Sequence, residues 1–402
     1  MRAERVHSLL DRPAPDEGAA EERGWQVVRG AFAAREARPR RTRPLRALVA
    51  LGATLALIAA AFTPPGEAVT DWVRDAVRPG REDARPALVS LPAPGRLLVT
   101  SQQGPWIVEQ DGSRRLLGAF DDASWSPGGL FVVATRGREL VALDPMGRPR
   151  WSLARPSILL AARWSPDGYR IAYASGNDLR VVAGDGTGDA ALAANVADVP
   201  PAWRPGSEHR LAFADGARGV RVVDTDSGRL MWRSQEGPAP AQLAWSADGR
   251  LLLAVAPAEL RLFDAGGRLL ETLEMPPGTL ADSAAFRPSS HGFALASHSL
   301  KADRSRLSLF SLGKGATVER VLLSGAGRFE DLAWSPDGEW LLATWPAADQ
   351  WVFIRAGERR RAGIERLLAV ANIAQQFAPG SIERPRFPGL GGWCCAYRER
   401  SR

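Results

Sequence analysis

Residues 158–183 read Ile158-Leu-Leu-Ala-Ala-Arg-Trp164-Ser165-Pro166-Asp167-Gly168-Tyr-Arg170-Ile-Ala-Tyr-Ala-Ser175-Gly176-Asn177-Asp178-Leu179-Arg-Val-Val-Ala183. Ser165-Pro166-Asp167-Gly168 suits a type I turn: Ser at the first corner, Pro with its preset φ at the second, Gly at the fourth. The apolar runs before and after it, residues 158–164 and 170–175, are then two strands of a hairpin. Gly176-Asn177-Asp178 turns the chain again. Residues 179–183 make a third strand and 189–194 a fourth.

The same turn recurs along the chain. Trp125-Ser-Pro-Gly-Gly, Trp164-Ser-Pro-Asp-Gly, Trp203-Arg-Pro-Gly-Ser, Trp245-Ser-Ala-Asp-Gly, Phe286-Arg-Pro-Ser-Ser and Trp334-Ser-Pro-Asp-Gly follow at spacings of 39, 39, 42, 41 and 48 residues. A second ladder runs in phase. Asp144-Pro-Met-Gly, Asp185-Gly-Thr-Gly, Asp224-Thr-Asp-Ser-Gly and Asp264-Ala-Gly-Gly follow their aromatics by 19, 21, 21 and 19 residues, where a third strand must turn into a fourth. Four short antiparallel strands in a repeat of about 40 residues make one blade of a β-propeller. The motif aromatics Trp125, Trp164, Trp203, Trp245, Phe286 and Trp334 are expected to fill the wedges between blades, the Phe286 repeat being the degenerate one.

These residues resemble the tryptophan-serine-proline-aspartate-glycine repeat of WD40-like and TolB-type β-propellers. The likeness covers residues 95–398. The absence of a Trp-Asp dipeptide and of a Gly-His pair turns it toward the TolB-type group. It implies an all-β propeller and is nearly silent on function, because propellers host unrelated roles. Strands expected at residues 96–100, 106–109 and 115–117 are the second, third and fourth of a blade whose first strand is missing. The tail around residues 384–397 can supply it, which makes seven blades the expectation, with six or eight as alternatives. Pairing the two chain ends removes a free sheet edge.

Composition agrees with a folded, turn-rich chain: 402 residues, 45% hydrophobic, with 40 Gly and 30 Pro. The net charge of +7 is not a nucleic-acid footprint. Residues 1–46 hold eleven Arg against seven acids, whereas the remaining 356 residues hold 41 basic and 38 acidic groups, a difference of only +3. Nucleic-acid binding requires a concentrated basic stripe, and the large domain has none. The two cysteines, Cys394 and Cys395, are adjacent. In a strand their side chains point to opposite faces, so free or separately paired thiols are expected, with a vicinal bond open to an oxidising compartment.

The N-terminal region reads differently. Residues 47–62, ALVALGATLALIAAAF, carry no charge, and with Thr63 they form an expected transmembrane helix that Pro64 and Pro65 stop. A cleaved signal peptide and a buried soluble helix are the alternatives. Arg35, Arg38, Arg40, Arg41, Arg43 and Arg46 crowd one flank, which places the N-terminus in the cytoplasm and the large part outside. The expected organisation is therefore 1–46 cytoplasmic, 47–63 spanning, 64–94 a linker with a short helix at 67–77, and 95–398 the propeller.

Within the cytoplasmic part, Trp25, Val28 and Phe32 share one helix face, a surface for a partner protein or for lipid. The layout looks like membrane-anchored regulators, including anti-sigma factors, although the zinc-binding His/Cys cluster of many such domains is missing.

No catalytic signature appears. There is no Gly-x-Ser-x-Gly elbow, His291 and His298 lack a second ligand at metal spacing, and no cofactor motif is present. Asp185–Asp189 and Asp224–Asp226 read as hairpin turns rather than calcium loops. The expectation is a non-enzymatic binding or sensing module with a protein partner. The alternative is an extracytoplasmic hydrolase or lyase using channel carboxylates such as Asp121 and Asp122. Acids or histidines converging on the channel would favour that alternative.

Overall fold

The structure, a computed structural model, describes residues 87–395 apart from 207, 217–218, 289, 313–316, 357–363 and 381–384. The expected cytoplasmic segment with Trp25, Val28 and Phe32, the expected span at 47–63 and the expected short helix at 67–77 lie outside the described residues. Among the described residues no helix is long and apolar enough to cross a membrane.

Seven four-stranded antiparallel sheets, six of them simple meanders, make seven blades. Blades 2 to 7 are continuous in sequence: residues 122–154, 159–193, 202–233, 242–274, 279–326 and 332–371. Blade 1 is composite. Its inner strand is Gly389–Cys394, which pairs with Arg96–Ser101, followed by Gly104–Val108 and Arg114–Leu116. The inner strand of every blade touches the inner strands of both neighbours, blade 7 touching Gly389–Cys394 and Gly389–Cys394 touching blade 2, so the ring closes.

Strand composition follows from position in the ring. Second strands are packed between two neighbouring blades and are mostly apolar, most fully in Leu251–Val255, LLLAV, where four of the five residues are buried. Such a run is what burial on both faces demands. Outermost strands lie at the rim and alternate, as in Pro149–Ala154 and Leu269–Glu274, where every second residue is exposed. Blade 6 has the longest outer strands, Arg304–Leu312 and Thr317–Ala326, and these account for the 48-residue spacing between Phe286 and Trp334. Pro200 and Pro201 shorten the inner strand of blade 4 to Ala202–Trp203, since proline cannot donate to the ladder.

The turn motif is closed by its own side chains. In blade 5 Gly249 N–H donates to Ser246 O at 2.8 Å, Leu251 N–H to Ser246 Oγ at 3.0 Å, and Arg250 N–H to Asp248 Oδ1 at 3.1 Å. Gly249 has φ +67°, and a Cβ there would lie 2.6 Å from Pro205 O of the preceding blade. Only glycine meets both conditions.

Trp164, Trp203, Trp245 and Trp334 are all under a tenth exposed; Trp125 and Phe286 are half-buried. Three of the indoles also bond across the wedge. Trp203 Nε1 donates to Arg163 O at 2.9 Å, Trp245 Nε1 to Ala202 O at 3.1 Å, and Trp334 Nε1 to Ala285 O at 3.1 Å.

Blades 4 and 6 carry Arg where the other motifs carry Ser, and the reason is visible. Arg204 Nε donates to Gly249 O and Arg287 Nε to Gly338 O, each at 2.7 Å, and each guanidinium lies over the next blade's tryptophan. Arg96 does the same for blade 2, donating to Gly129 O at 2.6 Å and covering Trp125. Toward the preceding blade, His209 meets the turn carboxylate Asp167, and His291 meets Asp248 at 2.8 Å. The two repeats that carry Arg are therefore tied to the blades on both sides.

The expectation of separate thiols is corrected: Cys394 and Cys395 are joined in a vicinal disulfide. Cys395 lies beyond the end of Gly389–Cys394 and takes φ +54°, so the strand geometry that would send the two side chains to opposite faces no longer holds there.

Candidate functional site in the central channel

Alternate residues of an inner strand face the ring axis. Counting back from each motif aromatic, the residue one before is Ser124, Arg163, Ala202, Ala244, Ala285 or Ala333, and in blade 1 Gly392 precedes Trp393. Three before stand Asp122, Ala161, Pro200, Gln242, Ser283, Asp331 and, in blade 1, Leu390. Ser124, Arg163, Ala202, Pro200, Gln242, Ser283 and Asp331 line an open cavity of about 560 Å3. Small side chains keep it open, and the polar ones give it chemistry.

Two polar groups stand apart from that background. Arg163 Nη1 pairs with Asp122 at 3.0 Å, joining blades 3 and 2. Asp121, also expected near the funnel, instead accepts Gly137 N–H. Across the channel, blades 6 and 7 bring together Asp282, His298, Arg328, Glu330 and Asp331 at the face where inner strands begin. Asp282 is the extra residue of a bulge between Ala281 and Ser283, a device that re-aims a side chain out of the regular pleat. Its carboxylate meets His298 Nδ1 at 2.8 Å, and Arg328 Nη2 lies 2.9 Å from His298 Nε2. A guanidinium cannot accept, so Nε2 accepts from Arg328 and Nδ1–H donates to Asp282. The buried imidazole thus links Asp282 to the more exposed Arg328.

The carboxyls here are harder to ionise than usual. Burial raises Asp282, with the His298 contact opposing it. Burial and the neighbouring Asp331 charge raise Glu330. Burial raises Asp331, against one hydrogen bond accepted from Leu390 N–H at 2.9 Å. Asp331 is surrounded by protein yet keeps part of its surface open to the channel water. Such a mouth can receive a cationic or hydrogen-donating group, and its carboxyls can hold protons closer to neutrality. Among the described residues no set of three His, Cys, Asp or Glu side chains is grouped to hold a metal ion.

None of these five residues stands out in the sequence as a site. The channel rows are legible by counting back from the repeat aromatics. The bulge that adds Asp282, and the pairing that brings His298 to it, are not. The sequence-predicted face Trp25, Val28 and Phe32 lies outside the described residues.

No known protein-family profile matches the chain, and no curated protein matches it. Solved structures do match in fold. A chain of the mitotic checkpoint complex matches with TM-score 0.50 at 17% identity, covering 70% of this chain and 94% of its own. The beta-propeller domain of Cps50 (Swd1) from Myceliophteria thermophila gives 0.47 at 15% identity, over 61% and 84% of the two chains. Hydrazine synthase of Kuenenia stuttgartiensis gives 0.48 at 14%, over 58% and 75%. At such identities the likeness shows the fold alone, and the chain is a seven-bladed β-propeller. The expectation of a non-enzymatic chain is corrected. The fold is shared with a chain of an enzyme, hydrazine synthase, and this channel is not bare, so neither fold nor site excludes catalysis.

Proposed function

We propose that this chain is a membrane-tethered binding propeller whose channel mouth receives a positively charged group of a partner protein. The observation that carries the proposal is the convergence of Asp282, Glu330 and Asp331 on one wall of a channel whose one lining cation, Arg163, is already paired with Asp122. Residues 1–46 lie in the cytoplasm, 47–63 span the membrane, and the propeller stands outside, in the layout of a regulator with an external sensor. The match to a chain of the mitotic checkpoint complex supports the protein-partner part of this reading. The face formed by Trp25, Val28 and Phe32 passes the signal to a cytoplasmic protein.

The test is affinity capture with the full chain in membranes. Glu330→Gln with Asp331→Asn should lose external partners that wild type retains, whereas Trp25→Ala with Phe32→Ala should lose only cytoplasmic ones. Identical capture by all three proteins refutes the proposal. A reporter active only in the cytoplasm, fused after Arg402, should be silent; activity there refutes the orientation. A second reading, an extracytoplasmic hydrolase or lyase, is favoured by the raised carboxyls Glu330 and Asp331, which suit proton transfer. Turnover abolished in either single variant, with capture unchanged, would select it.

A further inference from the structure

The propeller face that carries the motif turns is chemically lopsided. The residue five positions after the motif aromatic sits at the same place on this face in each of blades 2 to 7: Leu130, Tyr169, Glu208, Arg250, His291 and Glu339. The two apolar members are adjacent. Leu130 is 64% and Tyr169 72% exposed, and Met146, in the outer turn of blade 2 on this same face, is 53% exposed. Their loops are in contact: a Cβ on Gly168, next to Tyr169, would lie 3.8 Å from Pro127 Cδ, and Phe131 stacks on Trp164 with centroids 6.4 Å apart. The remaining members are charged or polar and engaged with neighbours, Glu208 with Arg204, His291 with Asp248, and Glu339 with Arg355.

Both ends of the propeller chain leave from the edge of this apolar sector. Leu91 N–H donates to Gln110 O at 2.9 Å, and a Cβ on Gly112 would lie 2.5 Å from Val89 O, so residues 89–91 run along the motif-face turn of blade 1. Val89 is itself 68% exposed. At the other end, Cys395 Sγ would lie 3.3 Å from a Cβ on Gly129, the neighbour of Leu130. Twenty-three residues, 64–86, separate the expected span from Ala87. The residues after Cys395 include Arg398, Arg400 and Arg402 against Glu399 alone.

We infer that the sector formed by Val89, Leu130, Met146 and Tyr169 docks on the surface of an anionic bilayer. A tether leaving from this edge favours approach by the same edge, because reaching the membrane with the opposite face stretches the linker and costs chain entropy. Exposed Leu, Met and Tyr side chains enter the boundary between headgroups and acyl chains, where an aromatic ring with a polar tip is favoured. The arginines that follow Cys395 are drawn to anionic headgroups. Docking holds the acidic channel mouth, on the opposite face, away from the membrane and open to a partner. The inference rests on the tether proposed above.

The test uses the full chain reconstituted in vesicles of phosphatidylcholine with a minority of phosphatidylglycerol. An environment-sensitive fluorophore is attached through Leu130→Cys, Tyr169→Cys or Leu300→Cys, the last on the opposite face and 61% exposed. Nitroxide-bearing lipid should quench the first two and leave the third bright. Equal quenching at all three sites, or none, overturns the inference. Quenching at 130 and 169 that a bound protein abolishes in native membranes also overturns it, in favour of a protein partner. Resistance to carbonate extraction reports insertion separately. If the chain does not insert, the tether reading fails, and flotation with added vesicles is read instead. Wild type should then float, and Leu130→Ser with Tyr169→Ser should reduce flotation by roughly tenfold or more. Absence of flotation, or its indifference to the double change, overturns docking.

Discussion

Replacing Trp334 by Phe deletes one indole N–H while keeping an aromatic ring in the wedge between blades 6 and 7. The indole donates to Ala285 O at 3.1 Å, and the ring is 95% buried. Losing that donor removes the cross-blade bond to a partly buried strand carbonyl, a cost of about 1 kcal/mol. Trp164 is the matched control. It is buried to a similar extent, but its Nε1 has no hydrogen-bond partner. The loss of ring volume is common to Trp164→Phe and Trp334→Phe, so their difference isolates the cross-blade bond. Trp334→Phe should destabilise by about 1 kcal/mol more than Trp164→Phe, whereas either Trp→Ala change should cost about 3–5 kcal/mol through the cavity. Equilibrium denaturation of the full chain in detergent, followed by the β-sheet signal so that the lost fluorophore does not interfere, gives midpoints at a shared slope. Equal losses for the two Phe variants would refute the bond's contribution and leave packing as the whole explanation.

In the Asp248–His291 contact, partial burial pushes the carboxyl up, but hydrogen bonds from His291, Ser246 and Arg250 N–H outweigh it and lower Asp248 to about 2. A lowered carboxyl stabilises the fold above its ordinary value of 3.8 and loses that contribution as pH falls toward 2. The pair is well exposed and screened, so Asp248→Asn should cost under about 1 kcal/mol near neutrality, and the gap in melting temperature should close by about pH 2. Asp331 has the opposite sign. Burial raises its carboxyl, so its ionised form weighs against the folded state as pH rises through that raised value. Asp331→Asn keeps an acceptor for Leu390 N–H and should raise stability at neutral pH by up to about 1 kcal/mol, an advantage that thermal melts should show vanishing on acidification. Removing the strand Gly389–Cys394 opens the ring at blade 1, and sedimentation should show aggregation through the freed edge of Arg96–Ser101.

The repeat could be read without coordinates because each motif is a local, self-bonded unit. Ser, Pro, Asp and Gly encode the turn within a few residues, and the tryptophan ahead of it marks the end of an inner strand. Two periodic ladders in phase then set the blade, and the incomplete first blade called for a strand from the tail. Gly389–Cys394 occupies that place. Even the channel-facing rows follow from the two-residue alternation of strands, once the aromatics fix the count.

What the tertiary structure alone decided are the features that depend on which blades meet. Arg204 and Arg287 look like damaged motif positions in sequence and prove to be ties to the next blade. Asp282 reaches the channel wall only because a bulge inserts it, and His298 finds it across a strand pair rather than along the chain. Cys394 and Cys395 join because the backbone leaves the strand between them. The apolar sector of the motif face exists because the ring sets Leu130 beside Tyr169, residues 39 apart in sequence. Local turn chemistry is written in consecutive residues, whereas a site is a juxtaposition, and closing the ring is the step that brings distant residues together.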